Sequence, residues 1–191
     1  MCKNPWVIVM GYSSSGKSAM SKMLRQKGIM SFEFSDYFRI LLRLKDPPRQ
    51  EMLTRVEEYI RSKGRISVVM DIILWIKSQI HPTYRGPVFL MGARHSEDIK
   101  ILKRSLPVVF CVLVQVLEEI RVNRIIRRER AIDRVIINDL ISGCNAKADP
   151  ELTNCIKEHT NYIIENNGEL ASLEHQIDLL LNTLERYDET S

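Results

Sequence analysis

The sequence predicts an α/β protein in which a parallel sheet is covered by helices on both faces. Five short apolar runs of β type, at residues 6–10, 29–34, 88–91, 108–115 and 162–165, alternate with stretches of helical pattern. Such runs fit strands buried on both sides, and the alternation with helices fits parallel strands joined by crossovers. The second observation is the junction after the first run. Val7-Ile8-Val9-Met10 leads straight into Gly11-Tyr12-Ser13-Ser14-Ser15-Gly16-Lys17-Ser18, a G-x-x-x-x-G-K-S pattern between a strand and a helix.

Each element has its own signal. The first helix runs from about Gly16 to Lys27 and stops at Gly28, a suitable C-terminal residue. Ser35 or Asp36 caps a second helix that reaches about Lys45 before Asp46-Pro47-Pro48 breaks it. An amphipathic helix follows over residues 49–62, halted at Lys63-Gly64, and a more apolar one over residues 66–80 ends at His81-Pro82. Ser96-Glu97-Asp98 opens a helix to about Arg104, with acidic residues in the first turn where the helix dipole favours them. Residues 117–142 form one long helical stretch ended by Gly143-Cys144-Asn145. Asp149 caps the next helix with Pro150 in first position, and the last helix covers residues 169–184 before a frayed tail.

With 191 residues, the chain is expected to form a single domain, residues 1–191. A net charge of +4 favours anionic small molecules but is too small and too mixed in sign to make a nucleic-acid binder. Cys2, Cys111, Cys144 and Cys155 form no C-x-x-C pair, which fits a reducing compartment. The longest apolar run is too short to span a bilayer and no leader pattern opens the chain, so the expectation is a cytoplasmic protein without membrane partners.

The G-x-x-x-x-G-K-S pattern reads as a phosphate-binding P-loop. Gly11 and Gly16 let the backbone turn and come close to phosphate, and the N–H groups of Ser13, Ser14, Ser15, Gly16, Lys17, Ser18 and Ala19 can face its oxygens. The helix aims its positive end at the same anion. Lys17 would reach the terminal phosphates of ATP and the Ser18 hydroxyl would bind Mg²⁺. Three further clusters bear on the chemistry. Asp36 and Arg39 follow the second strand, where a guanidinium can take a second phosphate and the carboxylate a metal-bound water or an acceptor hydroxyl. Gly92-Ala93-Arg94 follows the third strand. Arg121, Arg124, Arg127, Arg128, Arg130 and Arg134 crowd one helical stretch, the composition of a lid that neutralises a moving phosphoryl group.

These segments together resemble the nucleoside monophosphate kinases, nearest the adenylate kinase-like and dephospho-CoA kinase-like branches. The resemblance implies a three-layer P-loop fold with strand order 2-3-1-4-5, acceptor-binding helices over about 36–80 and an Arg-rich lid over about 121–145. It implies Mg²⁺-ATP as donor, Arg39, Arg94 and Asp36 on the acceptor, and Arg124 and Arg128 over the transferring group. It also places Asn167 in a loop beside the adenine, within Tyr162-Ile163-Ile164-Glu165-Asn166-Asn167-Gly168. Met91 stands where relatives carry an acidic residue before Gly-x-Arg, which leaves Asp36 as the candidate for that carboxylate's role.

The expected activity is transfer of the γ-phosphoryl group to a (deoxy)nucleoside monophosphate, by a monomer or homodimer that needs no specific nucleic acid. A dephospho-CoA kinase-like enzyme shares the loop and lid, with Asp36 as base for a ribose hydroxyl. A regulatory nucleotide binder without turnover fits Met91. An RNA-binding NTPase would use Arg127 and Arg130.

Overall fold

The computed structural model describes residues 4–43, 49–127 and 150–189. Their chain order is β1 (Trp6–Met10), α1 (Lys17–Gln26), β2 (Met30–Glu33), α2 (Phe34–Leu41), α3 (Arg49–Lys63), α4 (Arg65–Gln79), β3 (Val88–Met91), α5 (Ser96–Ser105), β4 (Val108–Gln115), α6 (Glu118–Arg127), α7 (Pro150–His159), β5 (Tyr162–Glu165) and α8 (Leu170–Glu189). The five strands are all parallel in the order β2-β3-β1-β4-β5, as expected.

Strand periodicity divides the core into two layers. From β1, Trp6, Ile8 and Met10 face a cluster with Val68, Ile72 and Ile76 of α4 and Ile99 and Leu102 of α5. Val7 and Val9 face the opposite cluster, with Met20 and Leu24 of α1 and Leu173, Ile177, Leu180 and Leu184 of α8. All five β1 residues are buried, which is why that run shows no polar alternation. Met91 belongs to the α1/α8 layer and is 1% exposed, so packing accounts for an apolar residue there.

Local signals explain the ends of the elements. Gly28, at φ 75°, closes α1, with its N–H donating to Arg25 O while Ile29 N–H donates to Leu24 O. The second helix corrects the expected cap. β2 passes into α2 without a loop, so Glu33 takes the N-cap and forms a reciprocal capping box with Asp36 at the third helical position. This helix ends at Leu41, short of the expected Lys45, and Arg43 follows at φ 50°. Gly64, at φ 81°, separates α3 from α4. The last helix continues through Glu189 instead of fraying from residue 185, and the apolar stripe ending at Leu184 anchors it. Of the long Arg-rich stretch, α6 is the described part; Arg128, Arg130, Arg134 and the expected stop at 143–145 lie outside the described residues, as does Asp149.

Side chains occupy backbone groups at both outer strands. At β2, Arg25 Nε donates to Ser31 O at 3.1 Å, Tyr84 Oη accepts from Met30 N at 3.1 Å, and Asp36 accepts from Glu33 N at 3.4 Å. At β5, the Gln176 carboxamide accepts from Glu165 N at 2.8 Å and donates to Glu165 O at 2.5 Å. Between α4 and α5, Asp98 is buried and bonded to Arg65 at 3.0 Å; burial pushes its carboxyl up, and the guanidinium opposes that shift.

Candidate functional site

The strand-to-helix turn after β1 is built from backbone conformations that only special residues tolerate. Gly11 has φ 147° and Gly16 φ 110°. A Cβ on Gly11 would meet Val114 O at 2.6 Å, because the turn lies hard against β4. Ser14 adopts φ 63°, so positive φ angles recur on either side of Ser15, the alternation that turns successive N–H groups to one side. The turn is closed by Ser15 N–H to Tyr12 O at 3.2 Å.

α1 then begins with no side-chain cap and no acidic residue in its first turn, so the described residues leave its positive end uncompensated. Ser15 is 1% exposed, and its Oγ has no hydrogen-bond partner among the described residues. A buried hydroxyl without a partner is costly, and a phosphate oxygen would satisfy it. Lys17 Nζ donates to Gly11 O at 2.5 Å and Tyr12 O at 2.8 Å, which holds the ammonium over the turn. Ser18 is exposed in the first turn of α1 and Ala19 partly buried beside it. The arrangement fits a magnesium nucleotide. Among the described residues no three or more His, Cys, Asp or Glu side chains gather as a metal cage, and Mg²⁺ typically takes few protein ligands beside phosphate and water.

Two elements brace this turn. Tyr12 Oη and Thr153 Oγ1 of α7 lie 2.8 Å apart, and the Arg121 guanidinium sits 6.0 Å from the centre of the Tyr12 ring. Arg121 is in turn held by both carboxylate oxygens of Glu118, whose carboxyl it keeps below the usual range. Tyr12→Phe is therefore expected to cost about 0.5–1.5 kcal/mol, measured by urea unfolding. The second brace, from Asn166, is absent from the sequence reading. Its Nδ2 donates to Ser15 O at 2.7 Å, and the residue is 4% exposed.

The remaining predicted residues fall into three places. Arg124 and Asn167, assigned to a lid and to a base loop, line one cleft of about 320 Å³ with Ile120, Asn123, Arg127 and Gly168. There Asn167 Oδ1 accepts from Leu117 N at 2.7 Å, and Arg124 approaches Gly168 O at 3.5 Å. A guanidinium beside loop backbone offers a stacking face and polar edges to a planar base. Asp36 and Arg39 lie together in another cleft, of about 450 Å³ along β2, with Arg25, Trp75 and Gln79 and with no residue of the phosphate turn. Asp36 is 3.3 Å from Arg39 and 3.7 Å from Arg25. Arg94 follows β3, half-buried and without a hydrogen bond or ion pair among the described residues. Next to it, His95 pairs with Glu151 of α7. The two described thiols are unsuited to nucleophilic work: Cys111 and Cys155 are buried, and burial pushes Cys155 up to about 11.

No family model matches the chain, and no curated protein matches it. Solved structures do. TT1252 from Thermus thermophilus is 16% identical over 95% of this chain and 98% of its own, with a TM-score of 0.60. Shikimate kinase from Aquifex aeolicus is 16% identical over 93% and 96%, with a TM-score of 0.54. Shikimate kinase from Bacteroides thetaiotaomicron is 16% identical over 95% and 98%, with a TM-score of 0.53. At such identities the likeness is one of fold: the chain shares the α/β P-loop fold of these structures along nearly its whole length. Among the described residues no helix is long and apolar enough to cross a membrane.

Proposed function

We propose that the chain is an ATP-dependent phosphotransferase acting on a small anionic acceptor, and that the acceptor is a nucleoside or deoxynucleoside monophosphate. The turn after β1 carries this reading: an uncapped helix start, positive φ at Gly11, Ser14 and Gly16, and a buried Ser15 hydroxyl awaiting a partner. The N–H groups of residues 13, 14 and 16–19 cradle the phosphate chain, since that of Ser15 closes the turn, and Lys17 turns from Gly11 O and Tyr12 O to the β- and γ-phosphates. Ser18 would hold Mg²⁺, which supplies charge neutralisation on the phosphates when bound with ATP. Asp36 is the proposed carboxylate for a metal-bound water, and to act so it exchanges its bonds to Glu33, Arg25 and Arg39.

Asn167 takes the base of ATP in the cleft it shares with Arg124. Arg94, Arg39 and Asp36 hold the acceptor, while Arg124 and Arg128 draw over the transferring group. A monophosphate oxygen is already anionic, so positioning and charge neutralisation carry the rate without a general base. A second reading has a hydroxyl acceptor, as the name shikimate kinase of two fold neighbours states for those proteins; Asp36 would then be the base.

The test is a coupled ADP-release screen with Mg²⁺-ATP and a panel of ribo- and deoxyribonucleoside monophosphates, dephospho-CoA and shikimate. ADP release only with a monophosphate supports the reading, release only with a hydroxyl acceptor selects the second, and ATP binding without release in any well selects a regulatory binder. With the acceptor identified, Arg94→Ala is expected to raise its KM by roughly 10–100-fold, the worth of a charge-assisted hydrogen bond, with KM for ATP nearly unchanged. Arg39→Ala should act in the same direction, and equal losses for ATP and acceptor would count against both assignments.

A further inference from the structure

We infer that Asn166 is a positioning residue that sets which face of the Ser15–Gly16 peptide meets the nucleotide, an inference resting on the proposed phosphate-binding role of the turn. Asn166 follows β5 directly, and its N–H donates to Gln115 O at 2.8 Å, so the β4–β5 ladder fixes its backbone. Its side chain is buried, and Nδ2 donates to Ser15 O at 2.7 Å. In a planar trans peptide the C=O and N–H point in opposite directions. With Ser15 O drawn toward Asn166, the Gly16 N–H is aimed away from it, and that is the side where the proposed phosphate lies.

Gly16 makes this control necessary. A glycine adopts positive and negative φ with similar ease, so the peptide preceding it can rotate unless something holds it. A Cβ at Gly16 would lie 2.0 Å from Asn166 Nδ2, so the carboxamide occupies the space that a side chain at residue 16 would fill. The bare glycine and the buried amide are one device. Its chemistry requires a donor: an aspartate of the same shape would set a carboxylate against Ser15 O and place a negative charge beside the phosphate site. The neighbouring Asn167 has a different task, accepting from Leu117 N, so the two asparagines are not interchangeable.

The experiment compares the parent with Asn166→Ala and Asn166→Asp by calorimetric titration with Mg²⁺-ADP and with pyrophosphate, by thermal unfolding, and by the amide NMR resonance of Gly16. In the parent, both ligands should bind and shift the Gly16 N–H resonance downfield. The alanine variant is expected to weaken both ligands about tenfold and to shrink that shift, and the aspartate variant to weaken them about a hundredfold. The alanine variant keeps the question open to measurement should the aspartate variant not fold. Unchanged affinity with the Gly16 shift retained overturns the inference. So does a fall in melting temperature alone, which would assign Asn166 to packing. A parent that binds neither ligand overturns the phosphate-binding reading, and this inference with it.

Discussion

Lys17→Ala is expected to lower kcat/KM for phosphoryl transfer by about 10²–10³-fold, the usual loss when one preorganised charge is removed from a developing anion. The ammonium is bonded to Gly11 O and Tyr12 O at 2.5 and 2.8 Å. Those carbonyls keep it over the turn rather than free to wander in solvent. Removing it takes away a cation that no neighbour replaces at that point of the helix. The fold should tolerate the change, because alanine favours the helix that residue 17 opens. Steady-state ADP release together with thermal unfolding checks both halves. Turnover equal to the parent's would remove Lys17, and with it the phosphate turn, from the mechanism.

Gly16→Ala should act through the backbone instead. At φ 110° an L side chain is strained by about 1–3 kcal/mol, and the added Cβ meets Asn166 Nδ2 at 2.0 Å, so one of the two must move. Overpacking adds a similar amount, giving a combined loss of roughly 2–6 kcal/mol and a fall in Tm of about 4–24 °C. Calorimetric unfolding measures the total. Combining the substitution with Asn166→Gly separates its parts, since the double variant removes the steric conflict and keeps the torsional strain. Measured against Asn166→Gly alone, which already loses the bond to Ser15 O, Gly16→Ala is expected to cost less Tm than it does in the parent, whereas an equal cost would place the whole loss in φ.

The central strands β1 and β3 were legible because burial on both faces leaves an unbroken apolar mark. Trp6–Met10 shows this most clearly, with every residue inside. Helix ends were legible where glycine or proline enforces them, as at Gly28 and Pro150. The start of α2 was not, because Glu33 is an unusual cap and serves as one only where the strand runs straight into the helix. The phosphate turn was readable from Gly11, Gly16, Lys17 and Ser18 at their fixed spacing between a strand and a helix. Its brace from Asn166 was hidden, since a contact across 151 positions of sequence leaves no local pattern. The same distance effect brought Arg124 and Asn167 to one cleft after separate assignments, and put Asp36 and Arg39 beside Arg25, which no motif had singled out.

The polar groups of β2 and β5 engaged by Tyr84, Arg25, Asp36 and Gln176 have a consequence beyond the site. An unprotected rim invites another polypeptide to extend the ladder, the first step of uncontrolled polymerisation. Here part of the backbone at each margin already has partners from its own chain, so a newcomer would have to displace them to extend the ladder fully. Crowding copies together therefore meets a barrier at both ends of the ladder.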